Sequence, residues 1–250
     1  MTAPLYLLEP AALAGVAVGS LLVLDGDEGH HAATVRRTRP GETLLVASGE
    51  GLLARGVVED VAARSVRLRV EAVANVEVPA PRLVLVQALA KGGRDELAIE
   101  TATELGVDAV VPWQAARSVV VWSGERGERS RRRWGTTVRA AAKQSRRAIV
   151  PQVRPTVTTA QLAASAGATA AVLVLHEDAP TPLTAVPLPE AGSDGEVLVV
   201  VGPEGGITEA ELEQLAAAGG VAVRLGPTVL RSSSAGPAAL AVLSARLRRW

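Results

Sequence analysis

The stretch GPEGGITEAELEQL, Gly202 to Leu215, follows directly on the apolar run EVLVVV, Glu196 to Val201. A short, unbroken apolar run that ends in glycines predicts a buried strand, and Leu212 and Leu215 behind it continue a helical stripe. Thr208 and Glu211 stand at the two positions of a capping box, where each side chain accepts an orphan backbone N–H of the helix start. Ile207 and Leu212 flank that cap as a hydrophobic staple, and Gly219 is placed to stop the helix as a permissive C′ residue. The stretch therefore reads as strand, glycine loop and capped helix, a βα turn. Gly202, Gly205 and Gly206 leave two readings open: an ordinary turn, or a backbone that a ligand approaches closely. The loop is not GxGxxG, and no GxxxxGK[ST] occurs in the chain, so the familiar nucleotide loops are excluded.

The same alternation extends outward. RLVLVQAL from Arg82, AAVLVL (Ala170 to Leu175) and VAVRL (Val221 to Leu225) read as strands, and DAVVPW as a strand closed by Pro112. RDELAIETATEL reads as a helix ending at Gly106. The basic segment reads as helical from Arg133 to Arg147. The last helix is expected from Ala235 to Trp250, striped by Leu240, Leu243 and Leu247, with Pro237 tolerable only in its first turn. Continuous apolar strands alternating with helices imply an α/β fold with a parallel sheet covered on both faces. Residues 1 to about 75 differ. SLLVL, ETLLVA, LLARGVVEDV and SVRLRVEAV read as short strands, with Asp27 capping a brief helix through HHAATVRR and a turn at Pro40-Gly41. Such spacing suggests a small β-barrel. The segment NVEVPAPR is the linker, which divides the chain into 1–76 and 77–250.

Composition narrows the chemistry. The chain of 250 residues is 48% apolar, yet it has no Phe and a single Tyr, Tyr6, so Val, Leu and Ala must form the core. The absence of Cys excludes disulfides and thiolate metal sites. His30, His31 and His176 are too few for a histidine-rich metal cluster, and no metal is expected. No apolar run approaches the ~18 residues of a membrane helix. The first residues, MTAPLYLLEPAALAG, lack a basic start and are interrupted by Glu9-Pro10, so they are read as folded sequence in a cytoplasmic chain. Net charge is zero, but Gly124 to Arg147 holds nine basic and two acidic residues. That segment is either a solvated helix face or a surface for a polyanion.

Three loops follow the last three strands: LHEDAP (Leu175 to Pro180), GPEGG (Gly202 to Gly206) and LGPTVLR (Leu225 to Arg231). In open parallel sheets ligands bind beyond the carboxyl ends of the strands. Backbone N–H and C=O groups with Leu175, Leu225 and Leu230 as apolar walls suit adenine, whose edge the main chain can read. A Cβ at Gly202 is expected to obstruct such a ligand and to spare the helix.

These motifs, with KGGRDEL, ATELGV, HHAATVRRTRPGE and AAKQSRR in the same order, resemble the RsmE family over essentially the whole chain. The resemblance implies a SPOUT-type methyltransferase domain with a C-terminal trefoil knot, an N-terminal PUA-like β-barrel, and a homodimer. It implies methylation of N3 of a specific uridine of 16S ribosomal RNA in the small ribosomal subunit, with S-adenosylmethionine as cofactor. Carried over by motif, the cofactor residues are Leu175, His176, Gly202, Pro203, Glu204, Gly205, Gly206, Leu225, Gly226, Leu230 and Arg231. The RNA residues are Arg36, Arg37, Arg94, Gln144 and Arg147. The chain departs from the family's usual residues at Ser233, which replaces a carboxylate, at Thr101, where a lysine is common, and at Lys143, which replaces a glutamate.

No general base stands out. Glu204 and Arg231 are the candidate catalytic residues: Glu204 either assists proton removal or holds a turn, and Arg231 could stabilise a developing uracil anion. His176 either packs or acts. Two rival functions are a SPOUT ribose 2′-oxygen methyltransferase and a non-catalytic ribosome-assembly factor that binds RNA. The relatives of the first carry an asparagine in their last motif, whereas Asn75 is the single Asn here. Intact glycine loops argue against the second.

Overall fold

The computed structural model describes residues 3–250. The chain forms two compact units. One comprises residues up to Val78 together with Ala142–Val150, the other Pro79–Ala141 with Pro151–Trp250.

The first unit is built on a five-stranded sheet of β1 (Leu5–Leu7), β2 (Leu21–Leu24), β3 (Thr43–Ala47), β4 (Leu52–Ala62) and β5 (Ser65–Asn75), in the order β1-β3-β4-β5-β2. The alternation read in SVRLRVEAV holds: Val66, Leu68 and Val70 are buried, while Arg67 and Arg69 point out and pair with Asp60 and Glu59 at 2.8 and 2.7 Å. Gly56 sits at a break in the β4–β5 register, where a Cβ would lie 2.7 Å from the Arg69 carbonyl oxygen. The hairpin can curve there only because the side chain is missing. Between β2 and β3 the chain forms α1 (Gly26–His30), which runs on as a π turn through His31–Val35. Its N-cap is Asp25, without a side-chain cap bond, so Asp27 lies inside the first turn rather than at the cap. Pro40-Gly41 makes the expected turn, closed by the Glu42 N–H on the Arg39 carbonyl at 3.2 Å, with Gly41 at φ 86°. The returning segment Ala142–Val150 is pinned here by Lys143, whose Nζ donates to both Glu28 oxygens at 2.7 and 2.8 Å and lies over the Tyr6 ring. A glutamate at 143 would face Glu28 with like charge, which gives this chain's lysine a physical reason.

The second unit holds a parallel sheet of β6 (Arg82–Ala88), β7 (Ala109–Gln114), β8 (Gln152–Val153), β9 (Val157–Thr158), β10 (Ala171–Leu175), β11 (Glu196–Val201) and β12 (Val221–Val223). The order is β12-β10-β11-β6-β7-β8, with β9 also on β7. Helices α4 (Thr159–Ala166) and α5 (Glu209–Ala217) cover the face that carries Val84, Val86, Val172, Val174, Leu198 and Val200. Helices α2 (Arg94–Glu104) and α6 (Ser232–Arg246) pack together on the other face, where Gly236 approaches Leu85 and Val201. A sheet buried on both sides accounts for the unbroken apolar strands.

Three boundaries differ from the sequence reading. Pro112 does not close β7: it pairs in register with Gln87, and the strand continues to Gln114. Pro237 lies in the second turn of α6, so the helix forgoes the bond to the Ser233 carbonyl. The basic helix α3 (Gly124–Gln144) starts earlier and ends sooner than expected. Arg146 takes φ 58°, and the Arg147 N–H bonds the Ala142 carbonyl at 2.8 Å, so a left-handed residue caps the helix and Arg147 lies beyond it. The chain end is tied down by Arg249, whose guanidinium reaches the Asp108 carboxylate at 2.9 Å with both side chains buried. No helix among the described residues is long and apolar enough to cross a membrane.

Candidate functional site

Strands β12, β10 and β11 are adjacent and parallel, so the three loops that follow them open on one edge of the sheet. Around them lies a cavity of about 580 Å³, within the range of small-molecule sites. Its lining includes Leu175, His176, Gly202, Pro203, Glu204, Gly205, Gly206, Leu225, Gly226, Leu230 and Arg231, which are all the cofactor residues named from sequence.

The glycine loop is built from α5 backward. Thr208 caps the helix, accepting from the Glu211 N–H at 3.3 Å, and Glu211 returns the bond to the Thr208 N–H at 3.1 Å. At the far end Gly220 and Gly219 bond back to Leu215 and Ala216, with Gly219 at φ 92°. This is the glycine stop anticipated from sequence. The Gly206 N–H closes a turn on the Pro203 carbonyl at 2.9 Å, and Gly206 takes φ 76°. Gly202 has a different reason to be glycine from the one expected. A Cβ there would sit 2.6 Å from Ile207 Cγ1, so it would strike the staple residue of the cap. Substitution at Gly202 therefore disturbs the helix start, and it does not isolate ligand contact.

The other two loops supply walls and polar edges. The His176 N–H bonds the Val223 carbonyl at 3.0 Å, joining two loop bases, and its Nδ1 accepts from the Asp178 N–H at 3.2 Å. His176 thus caps a turn. Helix α6 begins at the cavity without a side-chain cap, and Ser232 Oγ on the wall is buried with no protein hydrogen-bond partner. An orphaned hydroxyl, an uncapped helix start and leucine walls fit a ligand with both apolar and polar parts.

An RNA methyltransferase domain family matches residues 77–244, and an RNA methyltransferase PUA domain family matches residues 24–71. Ribosomal RNA small subunit methyltransferase E of Mycobacterium bovis is 50% identical over 236 residues, covering 93% of this chain and 89% of the relative. The Bacillus subtilis protein of the same name is 33% identical over 88% of each chain. The chain belongs to this methyltransferase family. Among solved structures, a Legionella pneumophila methyltransferase in complex with bound S-adenosylmethionine is 27% identical, with a TM-score of 0.84 over 98% of both chains. The Neisseria gonorrhoeae ribosomal RNA small subunit methyltransferase E bound to S-adenosyl methionine is 25% identical, with a TM-score of 0.83 over 98% of both chains.

In this family member the remaining named residues fall as follows. Arg94, the first residue of α2, lines the cavity, and its guanidinium pairs with Glu204 at 2.8 Å. The RNA candidate and the catalytic candidate thus meet each other. Arg231 lies exposed on the cavity wall just before α6. Arg36 and Arg37 are exposed in the first unit, Arg37 at φ 57°, and Gln144 and the half-buried Arg147 belong to the same unit. Ser233, the departure from a carboxylate, is buried in the first turn of α6.

The sequence reading missed Arg117. Its Nη1 donates to the Gly205 carbonyl at 2.9 Å, and a Cβ on Gly205 would lie 3.1 Å from Arg117 Cβ. It also missed the reach of Glu211. Besides the cap, that carboxylate accepts from the Ala116 N–H and the Thr159 hydroxyl, each at 2.8 Å. Burial pushes the Glu211 carboxyl up, but the bonds from Ala116, Thr208 and Thr159 outweigh it and leave the group below its usual range. The local signal for Arg117 was its place just past the end of β7, the same edge of the sheet that the three loops share.

Proposed function

We propose that this chain methylates N3 of one uridine of 16S ribosomal RNA in the small ribosomal subunit, using S-adenosylmethionine held in the three-loop cavity. The observation that carries the proposal is the convergence of the loops after β10, β11 and β12 on one cavity with backbone edges and leucine walls. The names of the 50% and 33% identical relatives, and the cofactor bound in the two solved structures, support it.

Leu175, Leu225, Leu230 and the Gly202–Gly206 and Gly226 backbone would hold the cofactor, with His176 keeping two loop bases together. Bound S-adenosylmethionine supplies an activated methyl group on a sulfonium. The protein's own task is to align N3, exclude water and stabilise the charge left when the N3 proton departs. Arg231 is proposed for that stabilisation. Glu204, engaged by Arg94, is proposed to fix the glycine loop, and the proton acceptor is left to solvent or substrate.

The same reading assigns residues 77–250 to a knotted SPOUT domain that acts as a homodimer, and residues 1–76 to a PUA-like barrel whose Arg36 and Arg37 grip RNA together with Gln144 and Arg147 of the returning segment Ala142–Val150. Nucleoside mass spectrometry of ribosomal RNA from a strain lacking the gene tests the reaction. Loss of one N3-methyluridine, restored by the gene, is the expected result; an unchanged spectrum refutes it. Light scattering should give about twice the chain mass, and a monomer at micromolar concentration would remove the dimer.

A further inference from the structure

Two hydrogen bonds, both donated by the segment after β7, tie that segment to the glycine loop and to the helix α5 behind it. The Ala116 N–H donates to Glu211 at 2.8 Å, and the next residue, Arg117, donates from its side chain to the Gly205 carbonyl at 2.9 Å. A second bond within the loop acts on the same peptide unit: the Gly206 N–H is held by the Pro203 carbonyl at 2.9 Å. The Gly205–Gly206 peptide is planar, so fixing its oxygen from one side and its N–H from the other fixes its orientation. Glycines without that restraint have a wide choice of φ and ψ, and Gly206 already uses a left-handed φ of 76°.

We propose that Arg117 is a positioning residue of the cofactor cavity, acting through the Gly205 carbonyl, with Glu211 holding its backbone in place. The proposal rests on the reading of this cavity as the S-adenosylmethionine site. Arg117 is exposed, and its Cβ is the side-chain atom nearest to where a Cβ on Gly205 would stand, so Arg117→Ala keeps that atom and removes the guanidinium with the methylenes that carry it. Such a change at the surface should leave thermal stability nearly unaltered. A hydrogen bond from a charged donor on a partly solvated loop is worth roughly tenfold in the population of the closed arrangement.

The test uses the full chain, with calorimetric titration of S-adenosylmethionine and amide exchange by NMR on uniformly nitrogen-15-labelled protein. Arg117→Ala should bind the cofactor roughly 5- to 10-fold more weakly and exchange the Gly206 amide faster in the ligand-free protein, while the α5 amides stay protected. Arg117→Lys, which keeps one donor of the right charge, should recover part of both. Unchanged affinity in Arg117→Ala overturns the proposal. Weaker binding with unchanged Gly206 exchange also overturns it, since the guanidinium would then touch the ligand directly, as would a lysine that restores affinity but not protection. Failure of the wild-type chain to bind S-adenosylmethionine would instead count against the proposed function, before any variant is compared.

Discussion

Replacing Glu211 with alanine should cost more than any surface change in the glycine-loop region, because one buried carboxylate serves three elements. Glu211 is 6% exposed and accepts from the Thr208 N–H at 3.1 Å, the Thr208 hydroxyl at 2.9 Å, and the Ala116 N–H and Thr159 hydroxyl at 2.8 Å. Losing the reciprocal half of the capping box costs about 1 kcal/mol. The Ala116 amide is left without its acceptor, which costs about 1–3 kcal/mol. The Thr159 hydroxyl still accepts from Trp113 Nε1 at 3.2 Å and can rotate, so it adds little. The expected loss is about 2–4 kcal/mol, which in a unit of this size lowers Tm by about 5–15 °C. Thermal unfolding followed by circular dichroism measures it, and a loss under about 1 kcal/mol refutes the clamp.

The pH dependence provides a second check on the same residue. Its folded-state carboxyl lies below the usual range, so its contribution is fully present above the unfolded value and is lost as pH falls through the folded one. The gap in stability between wild type and Glu211→Ala should therefore be widest near neutrality and shrink in acid. A gap that widens on acidification would mean that the carboxylate is held up by burial and not held down by its hydrogen bonds.

Gly202→Ala should destabilise by about 1–3 kcal/mol through overpacking against Ile207, and Ile207→Ala in the same chain should recover part of that loss in a double-mutant cycle. Asp108→Ala should cost about 3–5 kcal/mol in denaturant unfolding, because it strands the buried Arg249 guanidinium, and a smaller effect would mean that solvent reaches the pair. Arg37→Ala and Arg147→Ala should each weaken binding to small subunits and reduce the log–log salt slope by roughly 1. A wild-type slope in both variants would leave the basic residues as plain surface.

How much could be read from the sequence follows from how local each feature is. The capping box at Thr208 and Glu211, the stop at Gly219, the Pro40-Gly41 turn and the alternation of β5 rest on neighbours within a few residues, and all were legible. The cavity residues were legible too, because the loops that carry them end three strands that the apolar runs already marked. What lay hidden was set by partners far along the chain. Gly202 looked like a ligand contact because the crowding by Ile207 depends on the path of the turn. Pro112 looked like a strand end because Val110 and Trp113 give no sign of which side of β7 needs its N–H groups. Arg147 looked helical because the left-handed turn at Arg146 uses an arginine where a glycine would have announced it. The Glu211 carboxylate shows the limit most plainly: Thr208, its partner in the cap, lies three positions away, whereas Ala116 lies 95 positions away and Thr159 lies 52 away. A capping residue identified from four letters of sequence thus turns out to hold together two loops and a helix, and only the fold brings Arg117 to the glycine loop that the cap supports.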